Sequence, residues 1–286
     1  MKDLSALSRT PIPTQGQSNI VSSEPDVTRL PASKSQSIAG VSRVFFALCE
    51  EAEIGVLDLA RRTGLSVGTA QRITSELVEA DLLSWSPYTH KYSLGRGVLR
   101  LANAYTHKTP SDLQRCIAET ERLANATGET TAVHRRFGLG RVIVAQVESN
   151  HEMAWRSDIG RSYPLNAGAA SKALLAFIQP EELESILNEM AYEQFQPCTP
   201  VDRKQLEAEL AHVRATGVAV SFGERVAGAG GVAAPVMDMH GRTQYVLSVY
   251  GPEHRIRPIL ESLIYAVRGA ADRASNHHFP KPSRTP

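Results

Sequence analysis

Apolar positions in the first third of the chain follow helical spacing and then switch to the alternation of strands. Between Ser37 and Glu51, residues Ile38, Val41, Val44, Phe45 and Leu48 form one stripe, which predicts an amphipathic helix. Val56, Leu57, Leu59 and Ala60 predict the apolar face of a short second helix. Gly64 then supplies a sharp turn, and Leu65 a plug between helices. Ser66 is a good N-cap for a third helix, whose apolar residues Ala70, Ile73, Leu77 and Val78 recur at i, i+3, i+7 and i+8. The stretch LLSWSPYTHKYSLG alternates as two short strands joined through Pro87–His90, with Lys91 near the tip. Residues 35–96 therefore predict three helices and a β-wing. For residues 55–85 taken alone, an αα-hairpin with a solvated face is the alternative.

The pattern downstream is mixed. Residues 97–112 predict a linker helix with Val98, Leu101 and Ala102 on one face, ending at Pro110. A helix from Leu113 to Ala126 turns Leu113, Ile117 and Leu123 inward and stops at Gly128. TTAVHRRF and GRVIVAQVES predict a hairpin about Gly138–Gly140. The FGLG stretch there has no GxxxxGK[ST] spacing and no following helix, so it reads as a turn rather than a nucleotide loop. Small residues Ala167 to Ala170 precede an apolar helix, Ser171–Ile178. Gly228, Gly230 and Gly231 lead into the strand VAAPVMD, and in YVLSVYGP residues 246, 248 and 250 share one face. Residues 113–275 thus predict an α+β domain with an antiparallel sheet and flanking helices. The tails 1–34 and 276–286 are rich in Ser, Pro and Thr and are expected to be disordered. The pair His277–His278 in the second tail reads as incidental.

The polar residues of the third helix carry candidate chemistry. Ser66, Gly68, Thr69, Gln71, Arg72 and Ser75 make a small, polar, basic face suited to a major groove. From Ser84 to Lys108 the chain holds Lys91, Arg96, Arg100 and Lys108 and no acid, which suits a surface lying along phosphates. The net charge of the whole chain is only +1, so the basic character is local and general polyanion binding is excluded.

At 286 residues the chain is long enough for two domains, and 42% hydrophobic content is ordinary for a soluble protein. Cys49, Cys116 and Cys198 are scattered without CxxC spacing, which predicts reduced cysteines, no zinc site and no disulfide framework. No apolar run approaches the roughly eighteen residues of a membrane span, and no signal-peptide core is present. A cytoplasmic protein without a cofactor is expected. Enzyme motifs are incomplete: His151-Glu152 lacks the second His of HExxH, and Ser171-Lys172 are adjacent rather than in SxxK spacing. Ser171 with Lys172 is the remaining arrangement that can be drawn as a nucleophile and its activator.

The order LARRTGLSVGTAQRITSELVEADLL, then KYSLGRGVLRLANAY, resembles the winged-helix domain and linker helix of IclR-type transcriptional regulators. ATGETTAV, RSDIGRSYPLNAGAASKALLAFI and GVAAPVMDMHGRTQYVLSVYGP follow in the order of that family's effector-binding domain. The resemblance covers roughly residues 35–275. It implies an N-terminal winged helix-turn-helix, a C-terminal GAF-like sensor domain, double-stranded operator DNA as partner, a small effector and a homodimer or homotetramer. It also implies that Ser66, Thr69, Gln71, Arg72, Ser75, Lys91 and Arg96 face DNA. Ala169, Ala170, Ser221, Gly231, Ser248 and Tyr250 match the positions that line the family's ligand pocket.

The chain departs from the family pattern. An acid is frequent where Ser221 stands, a Cys where Gly231 stands and a Ser where Tyr250 stands, so the effector should differ in shape from the two- or three-carbon acids some members bind. A Lys and a Ser are frequent where Val67 and Gly68 stand, which alters the operator. Open amides before Ser171 favour an anion, so a small organic acid is the expected effector, with Ser248 and Tyr250 at its other end. Small residues there for close packing are the alternative reading. A DNA-binding dimerisation scaffold without ligand is the rival to a ligand-responsive regulator, and an enzyme built on Ser171 and Lys172 is a more distant one.

Overall fold

The computed structural model describes residues 36–107 and 111–275. The tails expected at 1–34 and 276–286, with His277 and His278, lie outside the described residues, as do Lys108 and Pro110. The chain divides into two compact units, Met1–His107 and Lys108–Pro286.

The first unit begins with α1 (Gln36–Glu50), the two-residue strand β1 (Ile54–Gly55), α2 (Val56–Thr63) and α3 (Val67–Glu79). The wing strands β2 (Leu83–Trp85) and β3 (Lys91–Leu94) and the helix α4 (Arg96–His107) follow. Gly64 ends α2 in the left-handed conformation at φ 66°, which lets Leu65 N–H donate to Ala60 O at 3.1 Å and turns the chain into α3. Ser66 caps α3, its Oγ accepting from Thr69 N–H at 3.2 Å. Val44, Leu48, Leu59, Ile73, Leu77 and Leu83 meet in one core with Tyr92 of the wing. The wing is more than a hairpin, because β1 pairs with β3 to give the antiparallel order β1-β3-β2. This is a winged helix-turn-helix, and the isolated αα-hairpin is set aside.

Two apolar residues assigned to this core are corrected. Leu57 is exposed because α2 buries Leu59, Ala60 and Thr63, and a residue two positions before Leu59 lies about 200° round the helix. Ile38 is exposed as well. Each three-residue step back from Val44 drifts about 60° off the stripe, so Val41 stays half-buried while Ile38 has turned away.

The second unit is built on a six-stranded antiparallel sheet of order β6-β5-β4-β9-β8-β7. In chain order come α5 (Ser111–Thr127), β4 (Thr130–Phe137), β5 (Gly140–Val147), β6 (Ser162–Pro164), α6 (Ala169–Leu175), α7 (Pro180–Glu189) and α8 (Arg203–Thr216). Then follow β7 (Ala219–Phe222), β8 (Ala229–Met237), β9 (Thr243–Pro252), the short α9 (Glu253–Ile256), a 3-10 turn and α10 (Leu260–Ala274). The β4–β5 hairpin turns at Gly138–Leu139, as the pattern predicts.

Strand alternation divides the sheet into two faces. Val133, Val232, Ala234, Leu247 and Val249 point to one face and pack with Leu113, Cys116 and Leu123 of α5 and Leu263, Val267 and Ala270 of α10. On the other face, Ala233 and Val246 pack under α6, α7 and α8. Elsewhere on that second face Ala132 of β4, Ile143 of β5 and Tyr250 of β9 gather with Tyr163 instead. The helix expected at Ser171–Ile178 is shorter and begins earlier, at Ala169–Leu175. Gly168 leads into it at φ 92°, and Gln179, which precedes Pro180, stays extended and separates it from α7.

Candidate functional site

On the first unit, α3 exposes the face that the pattern assigns to DNA. Ser66, Gln71, Arg72 and Ser75 are exposed and Thr69 is half-buried, while Ala70, Ile73, Thr74 and Leu77 hold the helix to the core. Ser66 and Thr69 share their hydroxyls at 2.8 Å. Arg72 is not a free cation, because Nη1 donates to Glu76 Oε1 one turn on at 2.8 Å.

The wing turns through exposed Pro87, Tyr88, Thr89 and His90, closed by His90 N–H donating to Ser86 O at 2.9 Å. Lys91 is exposed at the start of the returning strand. Arg96 differs from the expectation: although its own stretch has no acid, Nη2 reaches back to Asp81 Oδ2 at 2.7 Å, beyond the end of α3. That bond holds the Asp81 carboxyl below its usual range. The acid-free stretch is therefore partly neutralised by a residue that precedes it.

In the second unit, the face of the sheet left open beside α6 forms a cleft of about 700 Å³, mouth included. Ala169, Ala170, Ser221, Gly231, Ser248 and Tyr250 all line it. Four separate elements bring them together, since α6 supplies the two alanines and β7, β8 and β9 the rest. Ser221, Gly231 and Tyr250 lie in one row across the sheet, Ser221 paired with Gly231 and Gly231 with Tyr250.

A connected set of polar groups forms the wall. Arg141 Nη1 donates to His134 Nδ1 at 2.8 Å, and His134 Nε2 lies 2.7 Å from Ser248 Oγ. A guanidinium only donates, so Nδ1 must accept and the imidazole proton sits on Nε2. His134 therefore donates to Ser248, whose own hydrogen is left to point elsewhere. Burial, and then the nearby Arg141 charge, keep His134 well below its ordinary pKa, so the ring stays neutral. Arg141 Nε donates to Ser171 Oγ at 3.0 Å, and Ser171 Oγ donates to Pro164 O at 2.9 Å. Burial, and then Arg225, lower Arg141 to about 10, which leaves it charged near neutrality.

The helix start differs from its expected role. Gly168 N–H donates to Glu224 Oε2 at 2.9 Å, so the protein supplies a carboxylate of its own there. Asn166 is fully buried and structural, Nδ2 donating to Glu193 O and Pro200 O. Lys172 Nζ is buried and donates to Glu224 Oε1 at 2.6 Å, Val220 O at 2.9 Å and Glu209 Oε2 at 3.3 Å. Ser171 and Lys172 thus turn to different partners and do not form a nucleophile–activator pair. Tyr250 shares its strand face with Ser248, but its hydroxyl donates to Gln146, and burial pushes its pKa up to about 12.

Several cleft residues escaped the sequence reading, among them His134, Arg141, Trp155, Glu224 and Arg225. A signal for one was present. Arg141 and Ile143 alternate with Val142 and Val144, so a lone arginine occupies an inward position of a strand. His134 was less visible, because the β4–β5 register shifts between Val133 and His134.

Among the described residues, no group of three or more His, Cys, Asp and Glu side chains is placed to hold a metal ion. Among them also, no helix is long and apolar enough to cross a membrane.

Residues 113–276 match the family described as bacterial transcriptional regulator IclR C-terminal, and residues 42–84 match a winged helix-turn-helix DNA-binding family. The HTH-type transcriptional repressor AllR of Escherichia coli strain K12 is 30% identical over 201 residues, covering 70% of this chain and 74% of the relative. An IclR transcriptional regulator from Alicyclobacillus acidocaldarius superposes with TM-score 0.73 at 23% identity, over 85% of this chain and 98% of that one. An IclR homolog from Microbacterium hydrocarbonoxydans, crystallised with 4-hydroxybenzoate, superposes with TM-score 0.72 at 23% identity, over 84% and 97% of the two chains. The curled antiparallel sheet with its helices is the GAF-like fold of those C-terminal domains. With a winged helix-turn-helix before an effector-binding domain, the chain belongs to the IclR family of DNA-binding transcriptional regulators.

Proposed function

We propose that this regulator binds its operator through α3 and the wing, and that a small organic acid in the cleft of the second unit changes that affinity. The observation that carries the effector half is the convergence of Ala169, Ala170, Ser221, Gly231, Ser248 and Tyr250 on one cleft whose wall is a connected set of hydrogen-bond donors. The homolog crystallised with 4-hydroxybenzoate supports a carboxylate-sized ligand in this kind of domain. Ser66, Thr69, Gln71, Arg72 and Ser75 read bases or adjacent phosphates, and Lys91 contacts the backbone; Arg96 is a weaker phosphate contact because Asp81 already holds it. One winged helix reads too few base pairs for genomic specificity, so the working form is a homodimer or homotetramer on a pseudo-palindromic site. The effector leaves unchanged: Ser171 and Lys172 are committed to separate partners, and regulation needs only different affinities for two states.

The test selects an operator from random duplexes with the full chain. Operator affinity is then followed by fluorescence anisotropy at fixed salt as small acids are added. A change of tenfold or more with at least one acid, and no turnover of that acid, is the expected result. Tight operator binding that no acid alters would make the second unit a dimerisation scaffold.

A further inference from the structure

Among the described residues two lysine or arginine side chains are buried, Lys172 and Arg141. Their surroundings differ sharply. Lys172 has two carboxylates, Glu224 and Glu209, within ion-pair distance. Arg141 has none: Nε and Nη1 donate to the neutral acceptors Ser171 Oγ and His134 Nδ1, and the guanidinium lies 5.0 Å from the Tyr163 ring centroid. Nη2 has no acceptor among the described residues. Arg225 brings a second guanidinium, 4.7 Å from the same ring centroid. Both arginines line the cleft, and its acid, Glu224, is taken up by Lys172 and Gly168 N–H. A buried charge without a counter-ion is costly, and hydrogen bonds to neutral groups compensate it only in part. A second positive charge beside it adds repulsion. An anion entering the cleft removes both costs at once.

We propose that Arg141 is the anchor for the effector's carboxylate, and that the cleft selects small acids bearing a second oxygen acceptor and no ammonium group. This rests on reading the cleft as the effector site and replaces the helix start as the anion's seat.

The selectivity follows from the direction of the hydrogen bonds. Arg141 fixes the proton of His134 on Nε2, Nε2–H donates to Ser248, and Ser248 keeps its own hydrogen for another acceptor. The guanidinium and the serine hydroxyl therefore present donors from one linked unit. A carboxylate can take two parallel bonds from a guanidinium, and an oxo, hydroxyl or second carboxylate oxygen can accept from Ser248. An ammonium group would meet two guanidinium charges. Trp155, Ile143 and the Tyr250 ring supply the apolar wall for the hydrocarbon part.

The chain's two tryptophans provide a direct readout. Trp85 is in the wing and Trp155 lines the cleft, so a full-length Trp85→Phe protein reports on Trp155 alone. Fluorescence titrations compare acid and amide isosteres: acetate with acetamide, benzoate with benzamide, and 4-hydroxybenzoate with 4-hydroxybenzamide. At least one acid should bind saturably, and its amide at least tenfold more weakly. Arg141→Met should weaken the acid at least tenfold and bring it level with the amide. Arg141→Lys should keep a preference for the acid, and this variant decides the matter if circular dichroism shows the methionine protein unfolded. Equal binding of acid and amide, or an acid preference that survives Arg141→Met, would overturn the anchor while leaving an organic effector in place. If none of these probes binds, both the anchor and the effector reading of the cleft fall.

Discussion

Gly231 and Tyr250 face each other across the β8–β9 ladder, and a Cβ on Gly231 would stand 3.2 Å from the Cβ of Tyr250. Both positions line the cleft. Their pairing puts the two positions in direct contact, through a Cβ that every residue but glycine carries at 250.

Restoring a side chain at 231 alone should therefore overpack the cleft. Gly231→Cys is expected to cost about 1–3 kcal/mol of stability. In the Tyr250→Gly background the same change should cost at least 1 kcal/mol less, because the Cβ that it would meet is gone, a coupling of the size seen between residues in contact. Urea unfolding of the four proteins in the cycle gives both numbers. Additive effects would mean that the two positions accommodate each other without contact.

The winged helix was legible because its determinants are local. Gly64 and Ser66 mark a turn and a cap within three residues, and Ala70, Ile73 and Leu77 repeat on one helix. The errors there, Leu57 and Ile38, come from extending an apolar stripe past the point where 100° per residue carries it off the face. Strand β1 is two residues long, too short to show a period. From the pattern alone the cleft was legible only where one strand suffices, as for Ser248 and Tyr250, while the resemblance pointed to Ala169, Ala170, Ser221 and Gly231. Arg141, His134 and Ser248 come from three strands, and their meeting depends on the order β5-β4-β9 and on a bulge at Val133/His134. No periodicity within a segment encodes that. The small residues at 167–170 suggest a seat for an external anion, but the carboxylate that reaches Gly168 N–H is Glu224, distant in sequence.

His134 should leave a mark on the pH dependence of stability. Its folded pKa lies well below 6.5, so above that pH both folded and unfolded forms are neutral. As pH falls below 6.5 the unfolded chain takes up a proton that the native ring refuses, and stability drops by up to about 1.4 kcal/mol per pH unit. His134→Gln removes this dependence. The stability difference between wild type and variant should then shrink by about 1 kcal/mol between pH 7 and pH 5.5, measured by urea unfolding. A constant difference would show that the ring is protonated in the native cleft.

The reader helix and the wing should separate by the kind of contact they make. Gln71→Ala and Arg72→Ala are expected to weaken specific operator binding by about 1–3 kcal/mol each, if each side chain meets a base. For Arg72 the gain on binding must exceed what Glu76 already provides. Lys91→Ala should weaken all duplexes alike and lower the salt slope by about one unit. Arg96→Ala should lower the slope by less than Lys91→Ala, because Asp81 already holds the Arg96 guanidinium. Anisotropy on the selected operator and a scrambled duplex, over a salt series, measures all four. Equal slope changes for Lys91 and Arg96 would mean that DNA displaces Asp81.

The buried ion pair beside the cleft gives the last prediction. Lys172 Nζ holds Glu224 Oε1 at 2.6 Å, while the other oxygen of that carboxylate accepts from Gly168 N–H. Lys172 also donates to Val220 O, so one ammonium ties α6 to β7 and to the segment after it. Lys172→Met leaves Glu224 without its cation, and breaking such a pair from one side costs about 3–5 kcal/mol. Lys172→Met with Glu224→Gln should recover part of that loss, because the stranded charge is gone while an amide oxygen can still accept from Gly168. Far-UV circular dichroism and Trp155 fluorescence during urea unfolding follow the loss in the second unit. A single variant no less stable than the double one would show that solvent reaches Glu224 and that the pair contributes little. If the pair holds as described, the single variant should also bind cleft ligands more weakly than the double variant. A carboxylate without its lysine adds a negative charge next to the place where Arg141 is to receive one.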